Sequence, residues 1–454
     1  MAPSPAPATT QIFLASTLYG AATLAAALDA GCFGPADRRL LLVSNNAAIP
    51  ETTPGPDRMP GFAELAARFD AVLDWNATIE PFHPGGWLPR PDDAPLWERQ
   101  LRTLWELGED RVELVVESIQ VAPAQAVVQL FPGAPIEVYA DGLMSYGPTR
   151  NKLDPAIGGR IRRLLHLDLV PGLEPLLLTE FGVPAELVPA AAFLDVLASL
   201  PVDEAELAGI GEAPALLLGQ YLSAIELLTP QEEEELHVRM VRGAHALGHR
   251  ELVFKPHPSA PARWSRMVEE EAARLGARLT VLDTPVLAEV LYRRLAPALV
   301  AGCFSTGLLT AATLFGIPVA RTGTAPLLDR VTPYQNSNRV PLTIVDALLP
   351  ELSDPEAVRA WSPPGPAAVK ELAALVTAVG YAMQSQILAA RRPEAERFLA
   401  HHLDERVWRY FKRRRLTALG LPGAVPAQLA FIPRSPTVKR VVRRVRHLRR
   451  TALG

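Results

Sequence analysis

Three short stretches of this chain combine residues that could do chemistry with a position at the end of an apolar run. The first is Ala140-Asp141-Gly142, which closes the run Ile136-Glu137-Val138-Tyr139. A carboxylate at a strand end, followed by a glycine that lets substrate approach the backbone, is placed to act as a general base. The same pair also fits an ordinary Asx-turn. The second is Lys255-Pro256-His257-Pro258, which ends the run Leu252-Val253-Phe254. Its prolines remove two N–H donors and keep the imidazole out of a helix. A histidine beside a lysine suits the negative charge that develops on a departing phosphate; simple packing of a loop histidine between prolines is the alternative. The third is Gly302-Cys303-Phe304-Ser305-Thr306-Gly307, between an apolar strand and a helix. Backbone N–H groups at that helix start, two hydroxyls and a permissive glycine make an anion nest, although Ser305 also fits a plain N-cap. The spacing lacks the lysine of a P-loop, which disfavours a P-loop NTPase.

Other polar positions carry less information. Gly219-Gln220 follows Ala215-Leu216-Leu217-Leu218 and is a further candidate for ligand contact on position alone. Thr17, Asn45, Asn46 and Glu51, with Gly142, are candidates for an acceptor side, since they too stand at or just beyond predicted strand ends. His245 and His249 have helical spacing but sit at a helix end beside Gly248, which fits capping better than a metal. Cys303 reads as a small apolar filler.

The elements that must position these loops alternate. Strands are expected at 11–16, 39–44, 69–73, 112–116 and 136–140, with helices at 21–30, 62–68, 96–107 and 118–129. The apolar run Leu40-Leu41-Leu42-Val43 suits a strand buried on both faces. A second series begins near Pro214, with strands at 215–218, 251–254, 278–282 and 298–301 and helices at 230–247, 262–275, 285–294 and 306–315. Thr229 reads as the N-cap of the helix at 230–247, and Glu232 to Glu235 sit near the positive end of its dipole. The pattern predicts an α/β fold of two Rossmann-like domains with an interdomain cleft. In such sheets ligands bind beyond the carboxyl ends of the strands, where all three motifs fall.

Size agrees with two domains: 454 residues, 49% hydrophobic, exceed the roughly 250–300 residues at which single cores stop growing. The two cysteines, Cys32 and Cys303, form no CxxC or Cys/His cluster, so neither a disulfide framework nor a structural zinc site is expected. A net charge of −4 gives no general attraction for nucleic acid. The uncharged stretches 1–28 and 296–320 do not read as spanning helices. The first lacks a basic n-region, and prolines and glycines punctuate the second.

Taken in order, the motifs resemble those of bacterial sialyltransferases of the GT-B type, and among them the polysialyltransferase-like (alpha-2,8-polysialyltransferase) group. Ala140-Asp141-Gly142 is similar to an acidic-acidic-glycine motif, His257-Pro258 to an HP motif and Ser305-Thr306 to a serine motif. Ile12-Phe13-Leu14-Ala15-Ser16 and Leu41-Leu42-Val43-Ser44-Asn45-Asn46 are also similar to that group. The resemblance spans residues 11–321. It implies an inverting, metal-independent transfer of sialic acid, or a related nonulosonic acid, from a CMP-activated donor to a glycan hydroxyl, with no cofactor. Asp141 would accept the hydroxyl proton, His257 would stabilise or protonate the departing phosphate, and Ser305 and Thr306 would hold it. Lys255, Pro258, Gly219 and Gln220 would add donor-side contacts. The chain departs from the motif at Ala140, where the group has its first acid. Two other readings stay open: a nucleotide-sugar epimerase of GT-B architecture, which would use a UDP donor, and a non-catalytic glycan-binding protein on a transferase scaffold, which would bind without turnover.

The expected organisation is a disordered start at 1–10, an acceptor domain at 11–205, a donor domain at 206–395, a crossover helix at 396–420 and a basic tail at 421–454. In the tail, Val438, Val441, Val442, Val445 and Leu448 recur at helical spacing among Lys and Arg. A basic amphipathic helix of this kind suits an anionic membrane surface, which places the protein in the cytoplasm or on the inner face of the cytoplasmic membrane.

Overall fold

The computed structural model describes residues 7–257, 260 and 263–425. Twelve strands are assigned among them, in two sheets. The first sheet contains β1 (Thr9–Ala15), β2 (Arg38–Val43), β3 (Ala71–Asp74), β4 (Arg111–Glu117), β5 (Ile136–Ala140), β6 (Ile161–His166) and β7 (Ala185–Leu187), in the order β3-β2-β1-β4-β5-β6-β7. The second contains β8 (Ala215–Leu218), β9 (Glu251–Lys255), β10 (Arg278–Val281), β11 (Leu299–Gly302) and β12 (Val319–Arg321), in the order β10-β9-β8-β11-β12. Every strand pair is parallel. Each sheet reverses its winding once, between β1 and β4 in the first and between β8 and β11 in the second. Such reversals open crevices at the carboxyl edge. Two doubly wound Rossmann-like sheets of this kind are the GT-B architecture.

Burial on both faces accounts for the apolar runs. Along β2, Leu40 and Leu42 enter one apolar cluster while Leu41 and Val43 enter the other, as period-two alternation requires. One cluster lies within the first unit. The other runs from the first sheet through the second to the C-terminal helices, so the two units share a continuous core.

Several elements differ from the sequence-based expectation. β6 and β7 were not anticipated, because Arg162 and Arg163 interrupt the apolar run of β6. Arg163 is tolerated there by ion pairs with Glu137 at 2.7 Å and Glu186 at 2.8 Å on the flanking strands. The crossover helix expected at 396–420 is broken into Arg392–His402, Glu405–Trp408 and Arg413–Leu419. The return over the first unit is made by the helix Pro366–Met383, ahead of the 396–420 segment expected to make it. That helix reaches the first unit at Gly380, and the Gln384 side chain just beyond its end donates to the Arg150 carbonyl. The later helices pack against the second unit, where Tyr410 donates to the buried Asp346 at 2.8 Å and Arg409 pairs with it at 3.0 Å. No helix among the described residues is long and apolar enough to cross a membrane. The basic tail from Val438 onward lies outside the described residues.

A β-carbon at Gly380 would stand 2.7 Å from Leu176 Cδ1 and 3.6 Å from Pro148 Cδ. Gly380→Val therefore overpacks the seam between the units. It should lower stability by about 1–3 kcal/mol, read as a fall in unfolding temperature. An unchanged temperature would mean that the helix is not clamped there.

Candidate active site

At the first sheet's reversal, Glu117 closes β4. It accepts hydrogen bonds from the Ser16 N–H at 3.0 Å, the Ser16 hydroxyl at 2.7 Å and the Tyr139 hydroxyl at 3.3 Å. Thr17 caps the helix Leu18–Asp29 by accepting from the Gly20 N–H at 2.8 Å, and its own hydroxyl proton goes to the Asp141 carboxylate. Gly20 is small by necessity: a β-carbon there would lie 2.9 Å from the Tyr139 hydroxyl, 3.1 Å from Thr17 Oγ1 and 3.5 Å from Asp141 Oδ2. Asp141 retains some contact with solvent but lies deep in protein. Burial, then the neighbouring Glu117 charge, raise its pKa to about 7 against the lowering effect of its own backbone N–H and Thr17.

At the second sheet's reversal, Gln220 accepts from the Phe304 N–H at 2.8 Å and so ties the end of β8 to the loop after β11. Gly219 donates to the Lys255 carbonyl at 2.9 Å, and a β-carbon on it would meet Pro256 Cα at 3.2 Å. Both residues therefore build the floor under the His257 turn. Ser305 caps the helix Thr306–Leu314, accepting from the Gly307 N–H at 3.2 Å; a hydroxyl that accepts this bond still has its own proton to donate. The Lys255 ammonium donates to the Thr284 carbonyl, and burial lowers its pKa to about 8. His257 is exposed at the strand end, with the Tyr221 ring 6.2 Å away and Trp264 behind that ring at 5.4 Å. Its pKa is lowered by desolvation and by the Lys255 charge.

The two edges meet. A β-carbon at Gly142 would be 3.1 Å from Thr306 Oγ1, and the Leu143 N–H stands 3.5 Å from the same oxygen. The Asp141 loop of the first sheet is thus in contact with the helix start proposed for phosphate. His257 stands two strands from that helix start, about 10 Å by strand spacing. Asn45 and Asn46 are placed elsewhere, at the end of β2. Asn45 donates to the carbonyls of Pro50 and Thr53, and Asn46 accepts from Ser44. Pro258 lies outside the described residues.

Several residues at the site were not singled out from the sequence. Glu117 had a usable signal, since an acid closes an apolar strand just as Asp141 does. Tyr19, Glu289 and Tyr292 had none, because their proximity spans the two units. The Tyr19 hydroxyl is buried without a partner among the described residues. Burial and the charges of Glu289 and Asp141 hold it in its protonated form. Glu289 accepts from Thr310 at 2.9 Å, and burial raises its pKa.

With this geometry in hand, the family model of alpha-2,8-polysialyltransferase (POLYST) matches residues 11–324, well over half of the chain. The chain belongs to that family. It is accordingly a glycosyltransferase of the sialyl-transferring kind. No curated protein matches it. Similar solved structures include a sialyltransferase from Photobacterium damsela, at 14% identity over 75% of this chain and 79% of that one, TM-score 0.41. A putative UDP-N-acetylglucosamine 2-epimerase from Listeria monocytogenes is similar at 12% identity over 84% and 98%, TM-score 0.44. MurG of Acinetobacter baumannii is similar at 11% over 82% and 99%, TM-score 0.38.

The Asp141 carboxyl gives this polysialyltransferase-family member a stability signature. Because its folded pKa is raised from 3.8 to about 7, folding favours the protonated form. The ionised carboxylate therefore destabilises the fold increasingly as pH rises from about 4, and fully above about 7. Asp141→Asn lacks this penalty. Its unfolding temperature should exceed that of the parent at pH 8 and match it near pH 4. A constant difference across that range would show that the carboxyl is not perturbed.

Proposed function

We propose that the protein moves sialic acid, or a related nonulosonic acid, from a CMP-activated donor to a glycan hydroxyl by a single inverting displacement that needs neither metal nor cofactor. The observation that carries this reading is the contact between the Asp141-Gly142 loop and the Ser305-Thr306 helix start. It sets a base on one wall of the cleft and an anion nest on the other. A nucleophile activated on one wall attacks the anomeric carbon from the face opposite a leaving group held on the other wall, and one such displacement inverts configuration.

In this reading the acceptor hydroxyl gives its proton to Asp141 as its oxygen bonds to the anomeric carbon. The bond to the phosphate oxygen breaks, and its electron pair leaves with CMP. A carboxyl with pKa about 7 is a far stronger base than an ordinary aspartate, yet is still ionised in about half the molecules near neutrality. The phosphate charge is met by the hydroxyls of Ser305 and Thr306, the helix dipole and the His257 imidazole. With its pKa lowered, His257 acts first as an N–H donor, and the arriving phosphate charge favours its protonation. Lys255 acts by setting the potential at His257, since its ammonium is directed to Thr284. The basic tail would hold the enzyme against anionic lipid on the cytoplasmic side.

The test is release of CMP from CMP-N-acetylneuraminic acid in the presence of EDTA, with and without glycan acceptors. Acceptor-stimulated release should occur in the parent and be lost in Asp141→Ala and His257→Ala. The rate should rise with pH through an ionisation near 7. Glu117→Gln, which removes a charge that raises the Asp141 pKa, should move that limb to lower pH. Release that requires added divalent metal, or survives Asp141→Ala, would overturn the assignment.

A further inference from the structure

The turn that follows Glu117 is held in a conformation its residues do not favour. Ser118 and Ile119 both take left-handed backbone angles, φ 47° and 50°, which crowd a β-carbon and are least tolerated by a β-branched side chain. Two such residues in succession persist where the surroundings over-determine them. Three contacts do so here. The Ser118 N–H donates to the Tyr139 carbonyl at 2.9 Å, extending the β4–β5 ladder. Ile119 is buried in the cluster of the first unit, and its N–H turns back to the Glu117 carbonyl. The Gln120 side chain then accepts from the Arg150 N–H at 2.5 Å.

Arg150 carries this hold across the seam. It lies on the segment after β5, beyond Gly142. Its guanidinium donates to the Ser337 hydroxyl of the second unit, and its carbonyl accepts from Gln384 at 2.5 Å, just beyond the return helix. The approach of the units that sets Gly142 over Thr306 therefore also seats Arg150 on Ser337. Around Asp141, the first unit presents the Glu117 carboxylate and the hydroxyls of Thr17, Tyr19 and Tyr139. The second unit presents Thr306 at Gly142, and Glu289, whose charge reaches Tyr19. Of these groups, Glu117 is the one that the left-handed turn adjoins.

We propose that Gln120 is a positioning residue for the base: by bonding to Arg150 it holds the Ser118-Ile119 turn, and so Glu117, in place beside Asp141 while Arg150 is seated on the second unit. Asp141 is then at full strength as a base only when the phosphate wall stands opposite it. If the units part, Arg150 loses Ser337, the turn relaxes, and both the Glu117 charge and the desolvation that act on Asp141 are weakened. The inference rests on the sialyl-transfer reading above, in which Asp141 is the base, and adds the residue that tunes it.

The test follows the Asp141 carboxyl with and without catalysis. In the full-length protein, the advantage in unfolding temperature of Asp141→Asn over its parent should grow from about pH 4 and level off near pH 7. In a Gln120→Met background, which keeps side-chain length and removes the acceptor, the same comparison should level off about one pH unit lower. Ser337→Ala, a small change on the other unit, should move it the same way by less. In each variant the pH limb of acceptor-stimulated CMP release should move down with the stability window. A merely structural role lowers the unfolding temperature equally at every pH and moves neither profile. A window that is unmoved in either variant, or moved to higher pH, would overturn the proposal. A lowered stability window in a protein whose parent releases no CMP would leave the positioning in place and overturn the transferase reading instead.

Discussion

The cleft depends on how closely two carboxyl edges can approach, and small residues decide it. Gly142 lies over Thr306, Gly147 over Val340, where a β-carbon on the glycine would stand 3.5 Å from Val340 Cβ, and Gly380 over Leu176. Thr313 donates to the Leu169 carbonyl at 2.9 Å across the same seam. One apolar cluster runs through both units beneath these contacts, so separating the edges would expose core. Close packing here does more than hold the halves together. It removes water from around Asp141, and that desolvation is the leading cause of its raised pKa.

The two walls are tuned in opposite directions by the same device. On the first wall, burial and a like charge from Glu117 favour the protonated carboxyl of Asp141, which suits the role of base proposed for it. On the second, desolvation by the protein around the strand end and the Lys255 charge favour the uncharged imidazole of His257. Both groups are thus disfavoured in their charged forms. In the proposed mechanism a hydroxyl proton moving to Asp141 and a phosphate charge arriving at His257 would each relieve that strain, so the electrostatic cost carried by the fold would fall along the reaction.

The alternating α/β pattern was readable because both sheets are parallel and buried, which forces continuous apolar strands separated by amphipathic helices. Asp141, His257 and Ser305 were readable because each ends such a run. What failed did so for physical reasons. β6 carries two arginines whose acceptability depends on Glu137 and Glu186 of neighbouring strands, a tertiary fact. Asn45 and Asn46 share the strand-end position of Asp141 and His257, and only the structure shows that their side chains bond within their own loop, to Pro50, Thr53 and Ser44. Gly219 and Gln220 were placed correctly at the carboxyl edge, but the contacts they make are with Lys255 and Phe304. Tyr19 and Glu289 come from elements far apart in sequence, and no local pattern could pair them.

The departure at Ala140 can be understood from strand alternation. Tyr139 faces the cluster shared between the units, and Ala140 faces the other, buried within the first unit. Asp141 returns to the side of Tyr139, since both approach Gly20. A carboxylate at position 140 would therefore project away from Asp141 into a region occupied by Ile12, Leu14 and Val138, where an unpaired charge is costly. Alanine at this position removes that cost without vacating the cleft. A second carboxylate nevertheless stands near Asp141: Glu117 on the adjacent strand β4, held by Ser16 and Tyr139, whose charge helps raise the Asp141 pKa.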